Sequence, residues 1–197
     1  MKKIFRNKSV VLSQDAKVFC IGFNKTGTTS IEKALLDFNY SLGSQDVGTK
    51  LFEAWVKRDF NSICQFATTA EAFQDIPFSL PHTFVALDQA FPNAKFILTV
   101  RNDSEEWYDS IVRFHLKIWG KGKTTLNADD LEAAPPFHYS RLYLNREIFN
   151  TEGQDVYNRK KLVDAYEFHN KNIIEYFKNR PKDLLILNLS DEKAYDE

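Results

Sequence analysis

The stretch from Val18 to Phe38 constrains this chain more than any other. Val18-Phe19-Cys20-Ile21 is an apolar run of strand length, and Ile31, Ala34, Leu35 and Phe38 recur at the spacing of one helical face. Between them lies Gly22-Phe23-Asn24-Lys25-Thr26-Gly27-Thr28-Thr29-Ser30. Strand, glycine-bearing loop and helix in that order point successive backbone N–H groups, and the positive end of the helix dipole, at one spot. The natural ligand of such a spot is a phosphate or another tetrahedral anion.

The position of the lysine narrows the class. In the nucleotide-triphosphatase loop, G-x4-G-K-[ST], the lysine directly follows the second glycine and reaches the terminal phosphates. Thr28 holds that place here. Lys25 lies two residues before Gly27, and three hydroxyls, Thr28, Thr29 and Ser30, open the helix. This rearranged loop resembles the 5′-phosphosulfate-binding loop of sulfotransferases that use 3′-phosphoadenosine 5′-phosphosulfate (PAPS). The wording GFNKTGTTSIEKAL is similar to the GxxKTGTTSL form common in bacterial and some animal members. The resemblance implies that Asn24, Lys25, Thr26, Gly27, Thr28, Thr29 and Ser30 bind the donor.

A second stretch carries the same resemblance. Lys95-Phe96-Ile97-Leu98-Thr99-Val100 is the clearest buried strand of the chain and ends in Arg101. Asp103 and Glu106 are spaced as a capping box, and Trp107, Ile111, Phe114 and Ile118 form the apolar stripe of the next helix. The whole, FPNAKFILTVRNDSEEWYDSIVRF, is similar to the sulfotransferase 3′-phosphate segment FPxAKFIxxxRxPxxWxxS, in which the arginine and the helix serine hold the 3′-phosphate. Those two residues match Arg101 and Ser110. The usual proline is Asp103, and arginine and serine stand nine apart where the family has eight.

A chain of 197 residues fits one domain with a sizeable core, and the expectation is a single sulfotransferase-like unit over residues 1–197. Hydrophobic residues make up 43% and charged residues 27%, an ordinary globular balance, and 17 Phe promise an aromatic core or an aromatic-lined pocket. With a formal net charge of −1 there is no global reason to expect a nucleic acid or an acidic membrane as partner, so any anion site must be local. Cys20 and Cys64 are too few for a disulfide framework, carry no metal-ligand spacing and read as buried thiols. The basic start is followed only by Val10-Val11-Leu12, which is no secretory core, and no stretch approaches a membrane span. The cytoplasm is the expected location.

Elsewhere, helical spacings predict helices over 48–58 and 60–68, with Trp55 in the core, and Ala70 to Asp75 reads as a short strand that bends at Pro77. Pro81 begins a predicted helix running to Phe91. In an open parallel sheet the residues just past strand carboxyl ends line the ligand crevice, which places Asp75 for chemistry; acceptance of turn N–H groups explains it equally. Residues 120–136 are polar and irregular, a loop or lid whose Lys121 and Lys123 either help hold an anion or form a solvated face. Residues 137–151 and 156–178 read as helices, the second with Val163, Tyr166, Asn170 and Ile173 or Ile174 inward. Leu184 to Leu189 is a last buried strand. The stretch YEFHNKNIIEYFKNRPKDLLILNLSDE also resembles the family's C-terminal helix and strand. Members usually continue further, which makes the chain a trimmed or minimal form on this reading. Residues 112–160 match no signature and are where acceptor-side helices and a lid are expected.

Alternating strands and helices predict an α/β fold, a three-layer α/β/α P-loop domain with a central parallel sheet. The resemblance then implies sulfuryl transfer from PAPS to a hydroxyl or amine of a small molecule or glycan, leaving 3′,5′-bisphosphoadenosine, with no metal. Lys25 neutralises the leaving phosphate, and an acceptor proton calls for a base. Asp75 best matches the family's base position, with His115 and His138 behind it. A small-molecule or nucleoside kinase and a non-catalytic nucleotide-binding module are the competing readings. The first normally needs a lysine after the second glycine and a strand ending in a magnesium-binding aspartate.

Overall fold

A computed structural model describes residues 16–189. The basic N-terminal stretch and the residues after Leu189 lie outside the described residues. The described residues divide into two compact units, one drawn from residues 16–102 with 170–189, the other from Asp103–His169.

The first unit is built on a four-stranded, all-parallel sheet with strand order β2-β1-β3-β4, the strands being β1 (Val18–Cys20), β2 (Ala72–Phe73), β3 (Lys95–Val100) and β4 (Leu184–Asn188). Five helices join β1 to β3: α1 (Thr28–Asp37), α2 (Gln45–Lys50), α3 (Phe52–Val56), α4 (Phe60–Phe66) and α5 (Thr83–Ala90). The chain leaves β1 toward β2 on one side and returns past it to β3 on the other. Winding therefore reverses at β1/β3, whose carboxyl ends open the crevice where ligands of such sheets bind.

Side chains of a strand alternate between faces, and β1 is buried on both. Val18 and Cys20 pack with Ile31 and Leu35 of α1, Ala72, Ile97 and Leu187. Phe19, facing the other way, has the rings of Phe73, Phe78, Phe91 and Phe96 within 5.8 Å, which is the aromatic core the composition predicts. The rings of Phe96 and Phe177 lie 4.8 Å apart. Trp55 is buried, as expected, and its indole N–H donates to the Pro81 carbonyl.

The second unit contains α6 (Ser104–Trp119), α7 (Ala128–Glu132), α8 (Arg141–Phe149) and the start of α9 (Arg159–Phe177). Asp103 caps α6 by accepting the Glu106 N–H, and Trp107 stacks on Tyr166 at 4.6 Å. Tyr108 donates its hydroxyl proton to the Tyr157 carbonyl.

Several elements depart from expectation. The predicted helix over 48–58 is two, broken at Leu51, and the strand before Asp75 is only two residues long, since the chain turns at Gln74 into left-handed backbone at Asp75 (φ 64). Helix α5 starts at Thr83, after a left-handed His82, and not at Pro81. Phe114 and Ile118 of the α6 stripe are exposed, because periodicity names a face and not whether anything covers it. On α9 the buried residues are Leu162, Tyr166, His169, Ile173 and Phe177, while Ile174 is exposed. The irregular 120–136 stretch contains α7, whose Asn127–Asp130 capping box supplies a helix start within it. Cys64 is half-buried and not fully enclosed.

Candidate active site

The loop after β1 is shaped by β3. A Cβ at Gly22 would lie 2.4 Å from Thr99 Oγ1 and 2.5 Å from the Thr99 carbonyl oxygen, so only glycine lets the loop leave the sheet against that strand. Two residues of the loop are left-handed, Lys25 (φ 74) and Gly27 (φ 106). Glycine adopts that region freely, whereas for lysine it costs about 1–3 kcal/mol, a strain that surrounding contacts must hold. Two contacts do so. Arg101, immediately after β3, donates from Nε to the Lys25 carbonyl at 2.7 Å, and Thr26 Oγ1 lies 2.5 Å from the Phe23 carbonyl oxygen.

Helix α1 begins from Gly27 with no side-chain cap and no acidic residue in its first turn. Its opening N–H groups and dipole thus face the loop without a carboxylate to compete with an incoming anion. Thr28 is half-buried, and Thr29 and Ser30 are exposed. The hydroxyl of Thr26, by contrast, is buried and bonded inside the protein, which leaves only the backbone of this residue to meet any loop ligand. Leu189, past β4, closes the far side: its Cδ1 would lie 2.5 Å from a Cβ at Gly27.

Two cations converge on the loop. Burial, and then the Arg101 charge, push the Lys25 ammonium below the usual lysine range. A nearby anion would oppose both effects, since an opposite charge favours the protonated ammonium. On the other side of β1, Asp75 follows β2. Burial pushes its carboxyl up, the charge of Glu32 on α1 adds to that, and hydrogen bonds from the Ile76 N–H (2.8 Å) and the Asn24 side chain partly offset it. Asn24 therefore connects the anion loop to the candidate base. Lys25, Arg101 and Asp75, singled out from sequence, all stand at carboxyl ends of neighbouring strands.

A family model described as a sulfotransferase domain matches residues 17–195, from just before β1 to beyond β4. The chain belongs to this sulfotransferase family. Its α/β architecture with a central parallel sheet is the one the sequence predicts, and the enzyme is a transferase of sulfuryl groups. No curated protein matches the chain. Among the described residues, no helix of this sulfotransferase domain is long and apolar enough to cross a membrane. Among them too, no group of three or more His, Cys, Asp or Glu side chains is placed to hold a metal ion.

The remaining candidates of the sulfotransferase lie in its second unit. Ser110 is half-buried on α6. His115 Nδ1 is 2.7 Å from the Tyr157 hydroxyl, and its ring stacks on Trp119 at 4.4 Å. Burial pushes the Tyr157 phenol far above its usual range, so it stays protonated at neutral pH. His138 is exposed, with left-handed backbone, its ring 4.7 Å from that of Phe137. Lys123 pairs with Asp130 at 2.5 Å, and the two line an open cavity of about 390 Å³ together with Gly122, Thr124, Thr125 and Asn127.

Sequence reasoning missed Thr99 as a partner of the loop and Glu32 as a neighbour of Asp75. A signal for the first existed. Thr99 is the one polar residue inside an otherwise apolar strand core, and a buried hydroxyl must find a partner.

Proposed function

We propose that this sulfotransferase uses PAPS as donor, binding its 5′-phosphosulfate in the Gly22–Ser30 loop, and acts on a hydroxyl or amine of a small molecule or glycan. The observation that carries the reading is the pairing of Lys25 with Arg101 in a loop that opens directly into the uncapped start of α1. In this reading the acceptor oxygen or nitrogen forms its bond to sulfur while the bond from sulfur to the 5′-phosphate oxygen breaks. Lys25 stabilises the charge that develops on that oxygen, helped by backbone N–H groups of Thr26 to Ser30. Asp75 takes the acceptor's proton. Its upward displacement makes it a stronger base than an ordinary carboxylate while the proton transfer stays within the reach of neutral pH. Arg101 meets the donor's 3′-phosphate with the edge of its guanidinium that is not bonded to the Lys25 carbonyl.

A thermal-shift comparison tests the donor class. The product 3′,5′-bisphosphoadenosine, at a hundredfold excess over its dissociation constant, is expected to add about 2.7 kcal/mol of stability, and ADP with Mg²⁺ little. Equal or greater stabilisation by ATP with Mg²⁺ would turn the reading toward a kinase.

A further inference from the structure

Two hydroxyls meet beneath the anion loop. Thr26 in the loop and Thr99 in β3 lie with their Oγ1 atoms 2.5 Å apart, and both residues are buried, at 1% and 0% exposed. Thr26 Oγ1 also lies 2.5 Å from the Phe23 carbonyl oxygen. A carbonyl only accepts, and a threonine hydroxyl carries one proton. Thr26 must therefore donate to Phe23, and the proton between the two hydroxyls belongs to Thr99. The result is a directed relay, from Thr99 to Thr26 to the Phe23 carbonyl, in which each bond polarises and strengthens the next.

This relay meets the loop where its shape is decided. It fixes the carbonyl two residues before Lys25, while Arg101, two residues beyond Thr99, holds the Lys25 carbonyl itself. Gly22 lies so close to Thr99 that a Cβ there would stand 2.7 Å from the Thr99 nitrogen. The entry, the inner carbonyl and the inner hydroxyl of the loop thus all converge on one strand residue. We propose that Thr99 is a positioning residue for sulfuryl transfer, its hydroxyl holding the loop in the conformation that aims Lys25. The proposal rests on the reading of this loop as the donor site.

Valine at position 99 removes the hydroxyl while keeping the shape, and serine keeps the hydroxyl while losing a methyl group. Three measurements on the full chain separate the possibilities: amide hydrogen exchange across residues 24–30 without ligand, equilibrium binding of 3′,5′-bisphosphoadenosine, and single-turnover transfer from PAPS to a competent acceptor. In Thr99→Val, exchange in the loop is expected to quicken while exchange in β1 and β3 stays as in the parent. Turnover should fall about ten- to a hundredfold, the scale of a misplaced reacting group, with a smaller change in bisphosphate affinity. Thr99→Ser should restore both. Because Thr26→Val breaks the same relay, adding it to Thr99→Val should cost less than the separate losses combined. Parental loop exchange and turnover in Thr99→Val would overturn the proposal, as would a Thr99→Ser protein as impaired as Thr99→Val. If Thr99→Val does not fold, Thr99→Ser decides alone: its exchange and turnover must match the parent. A parent that neither binds the bisphosphate nor transfers sulfuryl groups from PAPS would sink the functional reading instead, and the exchange data would still judge the role of Thr99.

Discussion

Lys25 is held in a conformation that lysine does not choose, next to a second cation, with its ammonium partly stripped of water. Such an arrangement is unfavourable until negative charge arrives, and on the proposed mechanism it is most favourable when that charge is greatest, as the bond between sulfur and the bridging oxygen breaks. Lys25→Ala is therefore expected to lower single-turnover transfer by about two to three orders of magnitude, while the affinity for bisphosphoadenosine falls less. Lys25→Arg keeps the charge, misplaces it, and should recover part of the rate. Asp75 gives a complementary expectation. Its folded-state pKa lies above that of the unfolded chain, so its contribution to stability is fully present at low pH and is lost as pH rises through the folded value. Asp75→Asn keeps the side-chain shape, tolerates the left-handed backbone and removes the buried charge. Its melting temperature should equal or exceed that of the parent at neutral pH, with the advantage vanishing in acid. Transfer should drop about a hundredfold or more, and the parent's rise of rate with pH, with a midpoint displaced above the usual carboxylate range, should disappear.

At the level of elements, strand and helix periodicity decides what was legible. Strand β3 reads out residue for residue from its apolar run, and the turn between β1 and α1 reads out because its glycines sit between a strand and a helix. The hydroxyl of Thr26 does not. In sequence it looks like one more ligand-facing group of the loop, and only its partner 73 positions away turns it inward. The exposed Phe114 and Ile118 have the same lesson in reverse: spacing aligns them with Trp107, but a neighbouring surface has to exist before a stripe becomes core. At the opposite end of the sheet unit, an ion network was invisible from sequence for the same reason. Arg180 donates through both terminal nitrogens to Asp88 of α5, at 3.0 and 2.7 Å, and Tyr176 donates to the same carboxylate at 2.7 Å. Burial alone would raise Asp88; the bonds from Arg180 and Tyr176 overcome it and hold the carboxyl below its usual range. A depressed carboxylate adds stability above its unfolded pKa and loses it as pH falls through the folded value. Asp88→Asn should thus cost about 1.5–3 kcal/mol in urea melts at pH 7 and progressively less toward pH 3, with donor binding unchanged.

For the whole molecule, the decisive feature is that β1 pairs with β3 in parallel, Phe19 opposite Phe96 and Cys20 opposite Ile97. A parallel pair cannot close through a short hairpin, so the two strands must find each other across the intervening helices and β2. The proposed donor site inherits that separation, since Thr99 and Arg101 bond to the loop. During synthesis the loop segment leaves the ribosome before the strand that shapes it, and for that interval it lacks the contacts from Thr99 and Arg101. On the proposed function, donor binding requires that the strand ending at Val100 has already docked beside β1. A nucleotide bound as proposed would not template the early nascent chain; it would reward only a sheet that has already closed.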